Sequence, residues 1–435
     1  MLNLVNKIRG FRPSLNLQLK KLFFVGVFTI AAAVQLLAAG ADDAWEAYDN
    51  GDFAKGVELA KPLAEQGEAA AQFLLGLAHF DGRGVQQNYA ESLRWYTLSA
   101  DQLYTPAQLN LGLMYAEGQG VPVDLEQAKK LISFAASKGI PQAQYSLGVL
   151  FLSGPREQTN PPKAAEWFTR AAEQGLVLAQ FRLGTMYYDG ILIRRNYREA
   201  ARWFRLAAQE GMNEAMYALG RMLLRGEGFE QNPPEAAKWI RRAAERGLAA
   251  AQAELGLLLI KGEGEEKNPT EAAQFLQLAA EQGNRIAQSN LGLLYLKGLG
   301  VEENPSQAYN WFKLAANQGL ADAQEKLGAH YENGLAVEQD LVEAYKWYAL
   351  AAEQRTELKI TSQDILAKKM TPEQLAEATA RVAEWKAEAL AQQTQSTMEG
   401  TTQPENTESP STAPAIPALP TSTNPPILEP VFSTE

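Results

Sequence analysis

Glycine returns in this chain every 36 residues, and that period decides what the chain can fold into. Gly76, Gly112, Gly148, Gly184, Gly220, Gly256, Gly292 and Gly328 form one series at this step. Gly82, Gly118, Gly154, Gly190, Gly226, Gly262, Gly298 and Gly334 form a second. A third runs Gly67, Gly139, Gly175, Gly211, Gly247, Gly283, Gly319, interrupted by Leu103. Trp95, Trp167, Trp203, Trp239, Trp311 and Trp347 keep the same register, with Leu131 and Phe275 in the gaps. Eight copies without an insertion or deletion predict a solenoid. Each repeat is too small to bury its own apolar face, so neighbours must stack.

Each repeat divides into two predicted helices. The first runs from about "AQ" to the second glycine, as in Ala179 to Tyr188. The second starts at Asn88, Asp124, Asn160, Asn196, Asn232, Asn268, Asn304 or Asp340, residue types whose side-chain oxygen caps an orphan backbone N–H. Pro161, Pro233, Pro269 and Pro305 follow the cap where a missing N–H costs nothing. Glu91, Gln127, Glu199, Glu235, Glu271, Gln307 and Glu343 stand three past the cap and predict a capping box. The Gly175 series then ends the second helix in a left-handed conformation.

The Gly184 series lies inside the first helix, where a glycine costs roughly 1 kcal/mol relative to alanine. Eight of them forfeit roughly 8 kcal/mol, comparable with the net stability of a domain. Only close packing offsets such a loss. Sixteen residues on, every repeat has a small side chain: Ser92, Ala128, Ala164, Ala200, Ala236, Ala272, Ala308 and Ala344. Small residues on both sides predict helices approaching below the usual separation of about 8–10 Å.

The stretches "AQFRLGTMYYDG" at 179–190 and "NYREAARWFRLAAQEG" at 196–211, with their near copies, resemble the Sel-one-like repeat (SLR) family, relatives of the tetratricopeptide repeats. The likeness covers residues 68–355, and the half-repeat "AWEAYDNGDFAKGVELAKPLAEQG" at 44–67 extends it. The resemblance implies an all-α fold, a right-handed α-solenoid (superhelix) of helix-turn-helix repeats, acting as an adaptor. Leu131, in place of an aromatic residue, and Gly154, without a second turn glycine, depart from the pattern.

Residues 1–41 carry five lysines and arginines and no acid, and 22–39 are apolar up to a small-residue site. This reads as a secretory signal cleaved after Ala41. The alternative is an uncleaved anchor, its 18 residues just spanning a bilayer's inner membrane core. Either way the remainder is exported, to the periplasm or beyond. Residues 42–67 read as a leading cap, with Asp52 capping a lone second helix, and 356–393 as a trailing helical cap containing the capping box Thr371–Gln374. "ELKITSQDILAKKM" reads as helical continuation. Residues 394–435, with eight prolines, five glutamates and no lysine or arginine, read as a disordered tail. Its end, "NPPILEPVFSTE", contains a short apolar motif suited to docking.

Candidates for chemistry are few. There is no cysteine, and the two histidines lie far apart, so no zinc site or other cofactor site is expected. His79 falls where other repeats have Tyr115, Phe151 and Tyr187, and reads as a packed ring; His330 falls one position earlier and reads as a surface variation. No catalytic motif appears. The net charge of −11, or −16 without the five charges of residues 1–41, opposes binding to nucleic acid.

By the resemblance, a partner lies on the concave surface lined by first helices. The positions this selects include Phe73, Phe80, Leu109, Tyr145, Leu152, Phe181, Tyr188, Tyr217, Arg221 and Leu224. The series is aromatic early and polar late, ending in Ala253, Ser289 and Glu325. The expected function is a non-enzymatic scaffold of the cell envelope that binds a protein or peptide. A binder of cell-wall glycan or peptidoglycan is the alternative. A cell-wall hydrolase comes third, since the family's branch linked to that activity is cysteine-rich.

Overall fold

The residues that recur at the period set the helix ends. Asn88, Asp124, Asn160, Asn232, Asn268, Asn304 and Asp340 each accept, on the side chain, a backbone N–H from the first turn of the helix they precede. Asn196 does the same for Arg198 and Glu199. Gly82, Gly118, Gly190, Gly226, Gly262, Gly298 and Gly334 close the first helices in the left-handed conformation.

The computed structural model describes residues 41–155, 159–190, 193–354 and 361–399, with side chains to residue 391. Among the described residues all regular structure is helical, and the chain divides after Leu206 into two compact units. The first holds α1 (Asp42–Asp49), α2 (Phe53–Glu65), α3 (Ala69–Asp81), α4 (Tyr89–Asp101), α5 (Thr105–Glu117), α6 (Leu125–Ser137), α7 (Pro141–Leu150), α8 (Pro161–Glu173), α9 (Val177–Asp189) and most of α10 (Tyr197–Gln209). The second takes the end of α10 and continues with α11 (Asn213–Arg225), α12 (Pro233–Glu245), α13 (Ala249–Lys261), α14 (Pro269–Glu281), α15 (Arg285–Lys297), α16 (Pro305–Asn317), α17 (Ala321–Asn333), α18 (Leu341–Ala352), α19 (Ser362–Ala367) and α20 (Pro372–Glu399). Within each unit consecutive helices pack on one another, the pattern of a helical solenoid.

The helix-interior glycines do meet the small residues sixteen positions on, as where Ser92 Oγ donates to Gly76 O at 2.7 Å, but those residues are not what an added side chain would strike first. The glycines face a large buried side chain twenty positions on. A Cβ on Gly184 would stand 2.7 Å from Phe204 Cδ1, and on Gly148 2.7 Å from Phe168 Cε1. The partners of Gly112, Gly220 and Gly256 are Ile132, Ile240 and Leu276; Gly76, Gly292 and Gly328 receive Tyr96, Phe312 and Tyr348. The small residue serves a secondary contact: its carbonyl oxygen would lie 3.1–3.3 Å from the added carbon at Gly112, Gly220, Gly256 and Gly328. The glycine is therefore a socket for one apolar side chain, and the small residue lets the backbone come near enough to close it.

The predicted capping boxes do not form in the repeats. A box needs the cap residue's backbone N–H, and here that group is already taken. Asn196 N–H donates to Tyr187 O at 2.9 Å, and every equivalent cap donates to the residue nine positions back, from Asn88 to His79 through Asp340 to Tyr331. This bond closes the turn between the two helices of a repeat. Glu235 and Glu271 bond the cap side chain instead, accepting from Asn232 Nδ2 and Asn268 Nδ2. True boxes occur outside the repeats, at Thr361–Asp364 and at Thr371–Gln374.

Both ends differ from expectation in detail. The leading cap is a helix pair, because the short α1 packs on α2, with Gly56 set against Tyr48. At the other end Thr361 caps a separate short helix, so the second helix does not simply continue. α20 packs on α18 through Trp385 and Trp347, edge to face at 6.1 Å. It runs to Glu399, past the expected boundary at 393, since nothing before Gly400 breaks a helix. Residues 1–40, with the expected signal or anchor, and the tail from 400 lie outside the described residues. Among those described, no helix is long and apolar enough to cross a membrane.

The interruption of the third glycine series has a measurable cost. Leu103 holds φ at +63° where its counterparts are glycines, and its side chain is largely exposed. The left-handed conformation costs a branched residue about 1–2 kcal/mol, partly recovered from the stiffer unfolded chain. Leu103→Gly is expected to stabilise the protein by about 1 kcal/mol, read as a higher urea midpoint; an unchanged or lower midpoint would refute the strain.

Candidate partner-binding surface

The positions selected on the first helices divide by burial. Phe73, Leu109 and Tyr145 are 1–3% exposed, and Leu152 is also buried. Phe73 sits among Trp45, Tyr96 and Tyr104, with ring centroids 5.5–5.8 Å apart, and Tyr145 packs on Phe168 at 5.3 Å. These four are core. Phe73 and Tyr145 touch Tyr96 and Phe168, the rings held in their repeats' glycine sockets, so packing explains them. Phe80, Phe181, Tyr188, Tyr217, Arg221 and Leu224 are only partly buried.

In the first unit, Phe181 and Tyr188 lie two turns apart and both meet Phe204, at 5.5 and 6.4 Å, and Tyr188 also meets Tyr197. In the second unit, Arg221 covers the Tyr217 ring at 5.6 Å. Tyr217 Oη donates to Glu254 Oε2 at 3.4 Å. Burial holds the Glu254 carboxyl above the usual range, with Arg221 and Arg225 pulling the other way. Aromatic rings and guanidinium groups at partial exposure are the chemistry of interface anchors.

A further series escaped the reading of the sequence. Gln72, Gln108, Gln144, Gln180, Gln252, Gln288 and Gln324 are buried at the step of 36, and each donates Nε2 to the carbonyl of the alanine eight residues earlier. Gln102, Gln174, Gln282, Gln318 and Gln354 in turn donate to the Oε1 of the first glutamine, at 2.7–2.9 Å. This ladder ties the C-terminus of one second helix to the next repeat, and leaving such a buried group unpaired costs about 1–3 kcal/mol. The recurring "AQ" was its visible signal.

The second glutamine is also replaced at Lys138 and Glu210, but in the repeat 213–248 both members of the pair are replaced. Met216 replaces the glutamine and cannot accept, and Arg246 replaces the second one. Arg246 donates instead to Gly211 O at 2.7 Å. A cavity of about 460 Å³ opens there, walled by Met216, Trp239, Arg242, Glu245 and Arg246. Arg242 covers the Trp239 ring at 5.0 Å.

His330 is a correction. It is buried rather than on the surface, its Nδ1–H donating to Leu335 O at 2.8 Å, between the Tyr309 and Phe312 rings. Its register is that of Met114, Met186 and Leu258, which all face the core, and burial lowers its pKa. Among the described residues no cluster of histidine and acidic groups has the arrangement of a metal site.

A family model, that of the Sel1 repeat, matches residues 69–102, 105–140, 141–176, 177–212, 213–248, 249–284, 285–320 and 321–355. The chain belongs to the Sel1 repeat family. It is similar to a protective antigen with an SLR fold from uropathogenic Escherichia coli strains, at 29% identity and a TM-score of 0.71, over 89% of this chain and 84% of that one. It is also similar to a Sel1 repeat protein of Oxalobacter formigenes, at 34% identity and a TM-score of 0.54, over 71% of this chain and 93% of that one. No curated protein matches it. Sel1 repeat proteins are generally protein-interaction scaffolds and typically non-catalytic. In this Sel1 repeat array, the sockets and most of the glutamine ladder recur at the period, while Phe181, Tyr188, Tyr217, Arg221 and Leu224 of α9 and α11 are only partly buried.

Proposed function

We propose that this Sel1 repeat protein is an exported, non-enzymatic scaffold of the cell envelope that captures a protein or peptide on its first helices. The carrying observation is the contrast within one register. Phe181 and Tyr217 remain partly exposed where Phe73, Leu109 and Tyr145 are buried. Solenoids bind partners along surfaces built from successive repeats, and Phe181 with Tyr188, and Tyr217 with Arg221 and Leu224, supply an anchor patch in each unit. The basic, apolar N-terminus supports export, to the periplasm or outside the cell.

The test is affinity capture from envelope extract, analysed for both proteins and glycans. Tyr217→Ala with Arg221→Ala is expected to lower recovery of a protein partner about tenfold, as removal of an interface anchor does, with helicity retained and the melting temperature lowered only modestly as Glu254 loses its hydrogen-bond donor. Phe181→Ala with Tyr188→Ala tests the other patch. A large fall in melting temperature would make these residues core and sink the reading. Recovery of glycan alone would replace it with the cell-wall binder.

A further inference from the structure

We propose that the cavity in the repeat 213–248 is a carboxylate site whose occupant is the chain's own tail, with Glu429 as the anchoring residue. The inference goes beyond partner capture on the first helices and does not depend on it. The cavity is the one place where the glutamine ladder is replaced on both sides, by Met216 and Arg246. Its walls combine an apolar lining, Met216 and Trp239, with two guanidinium groups that have no carboxylate partner among the described residues. The adjacent Arg241 differs, being held by both Glu265 and Glu271. Glu245 also borders the cavity, which leaves one net positive charge to attract an anion. A volume of about 460 Å³ falls within the roughly 300–1,000 Å³ of small-ligand sites.

The tail supplies the complement. Ile427 and Leu428 precede Glu429, and Val431 and Phe432 follow it, so one carboxylate lies amid apolar side chains. Residues 394–435 contain five glutamates and no lysine or arginine, whereas 177–248 hold twelve basic against eight acidic residues in a chain of net charge −11. Solvent-accessible ion pairs contribute only about 0–1 kcal/mol, so an untethered peptide would bind weakly. A tether changes that. The thirty residues from Glu399 to Glu429 keep the segment near at an effective concentration on the order of millimolar. Fully extended they span roughly 100 Å, and the helix layers from α11 to α18 add up to at most roughly 70 Å at 8–10 Å each.

Hydrogen exchange on the purified full chain tests this. Residues 424–435 are expected to exchange about tenfold more slowly than 401–423, the protection of a segment docked most of the time. Glu429→Gln alone should cut that protection several-fold, and Arg242→Gln with Arg246→Gln should remove most of it. Reversing both charges, Arg246→Glu with Glu429→Arg, should restore part of it. An unprotected tail in the parent protein, or protection that survives Arg242→Gln with Arg246→Gln, overturns the proposal. Protection that grows with protein concentration also overturns it, because the occupant would then come from a second copy. Loss of partner capture in the Tyr217 and Arg221 variants leaves this readout untouched, so the two readings fail separately.

Discussion

Gly184→Leu is expected to destabilise the first unit by about 3 kcal/mol, at the upper end of overpacking costs. The added Cβ alone would stand 2.7 Å from Phe204 Cδ1 and 2.8 Å from Cε1. That ring is buried and meets both Phe181 and Tyr188, so it cannot swing away as the end of a lysine would. Gly184→Ala is milder, about 1–2 kcal/mol net, because the overpacking is partly offset by roughly 1 kcal/mol of helix propensity. The discriminating measurement is a double-mutant cycle by urea unfolding. With Phe204→Ala in place, Gly184→Leu should cost less by about 2 kcal/mol, within the range for directly coupled residues. Additive costs would mean that the glycine serves the small residue sixteen positions on, and the socket account would fall.

Phe312→Ala is expected to cost about 3–5 kcal/mol, the range for deleting a buried aromatic ring. Phe312 is fully buried, so close over Gly292 that an added Cβ there would stand 2.8 Å from its Cε1, and its ring lies 5.6 Å from that of His330. Because each repeat of a solenoid contacts only its neighbours, the loss should stay local. Hydrogen exchange should accelerate across α15 to α17 while amides in α3 to α6 keep their protection. Equal acceleration throughout the chain would show cooperative unfolding of the whole array and contradict a nearest-neighbour fold.

Much of this was legible in the amino-acid order. The step of 36, the cap residues, the left-handed glycines and the box at Thr371–Gln374 are local signals, and local backbone chemistry places them without knowledge of the fold. The socket partner was not legible in the same way. Ala200 and Phe204 both recur with the period, so spacing alone cannot say which of them a side chain added at Gly184 would strike first; that depends on how the two helices cross. The capping boxes failed for a related reason. The backbone N–H of Asn196 could be assigned to Glu199 from sequence, but the closed turn brings Tyr187 O to it first. His330 could have been placed in the core from the register of Met114 and Met186.

The sequence by itself determined the repeat, its helix boundaries and the family, because these follow from contacts within a few residues and from a period repeated eight times. Only the tertiary structure decided which members of a series are buried and which are exposed, and where the ladder opens. Phe73 and Phe181 occupy the same register, yet one is core and the other partly exposed. Periodicity makes all repeats look alike, whereas burial depends on the particular neighbours that stacking brings to each.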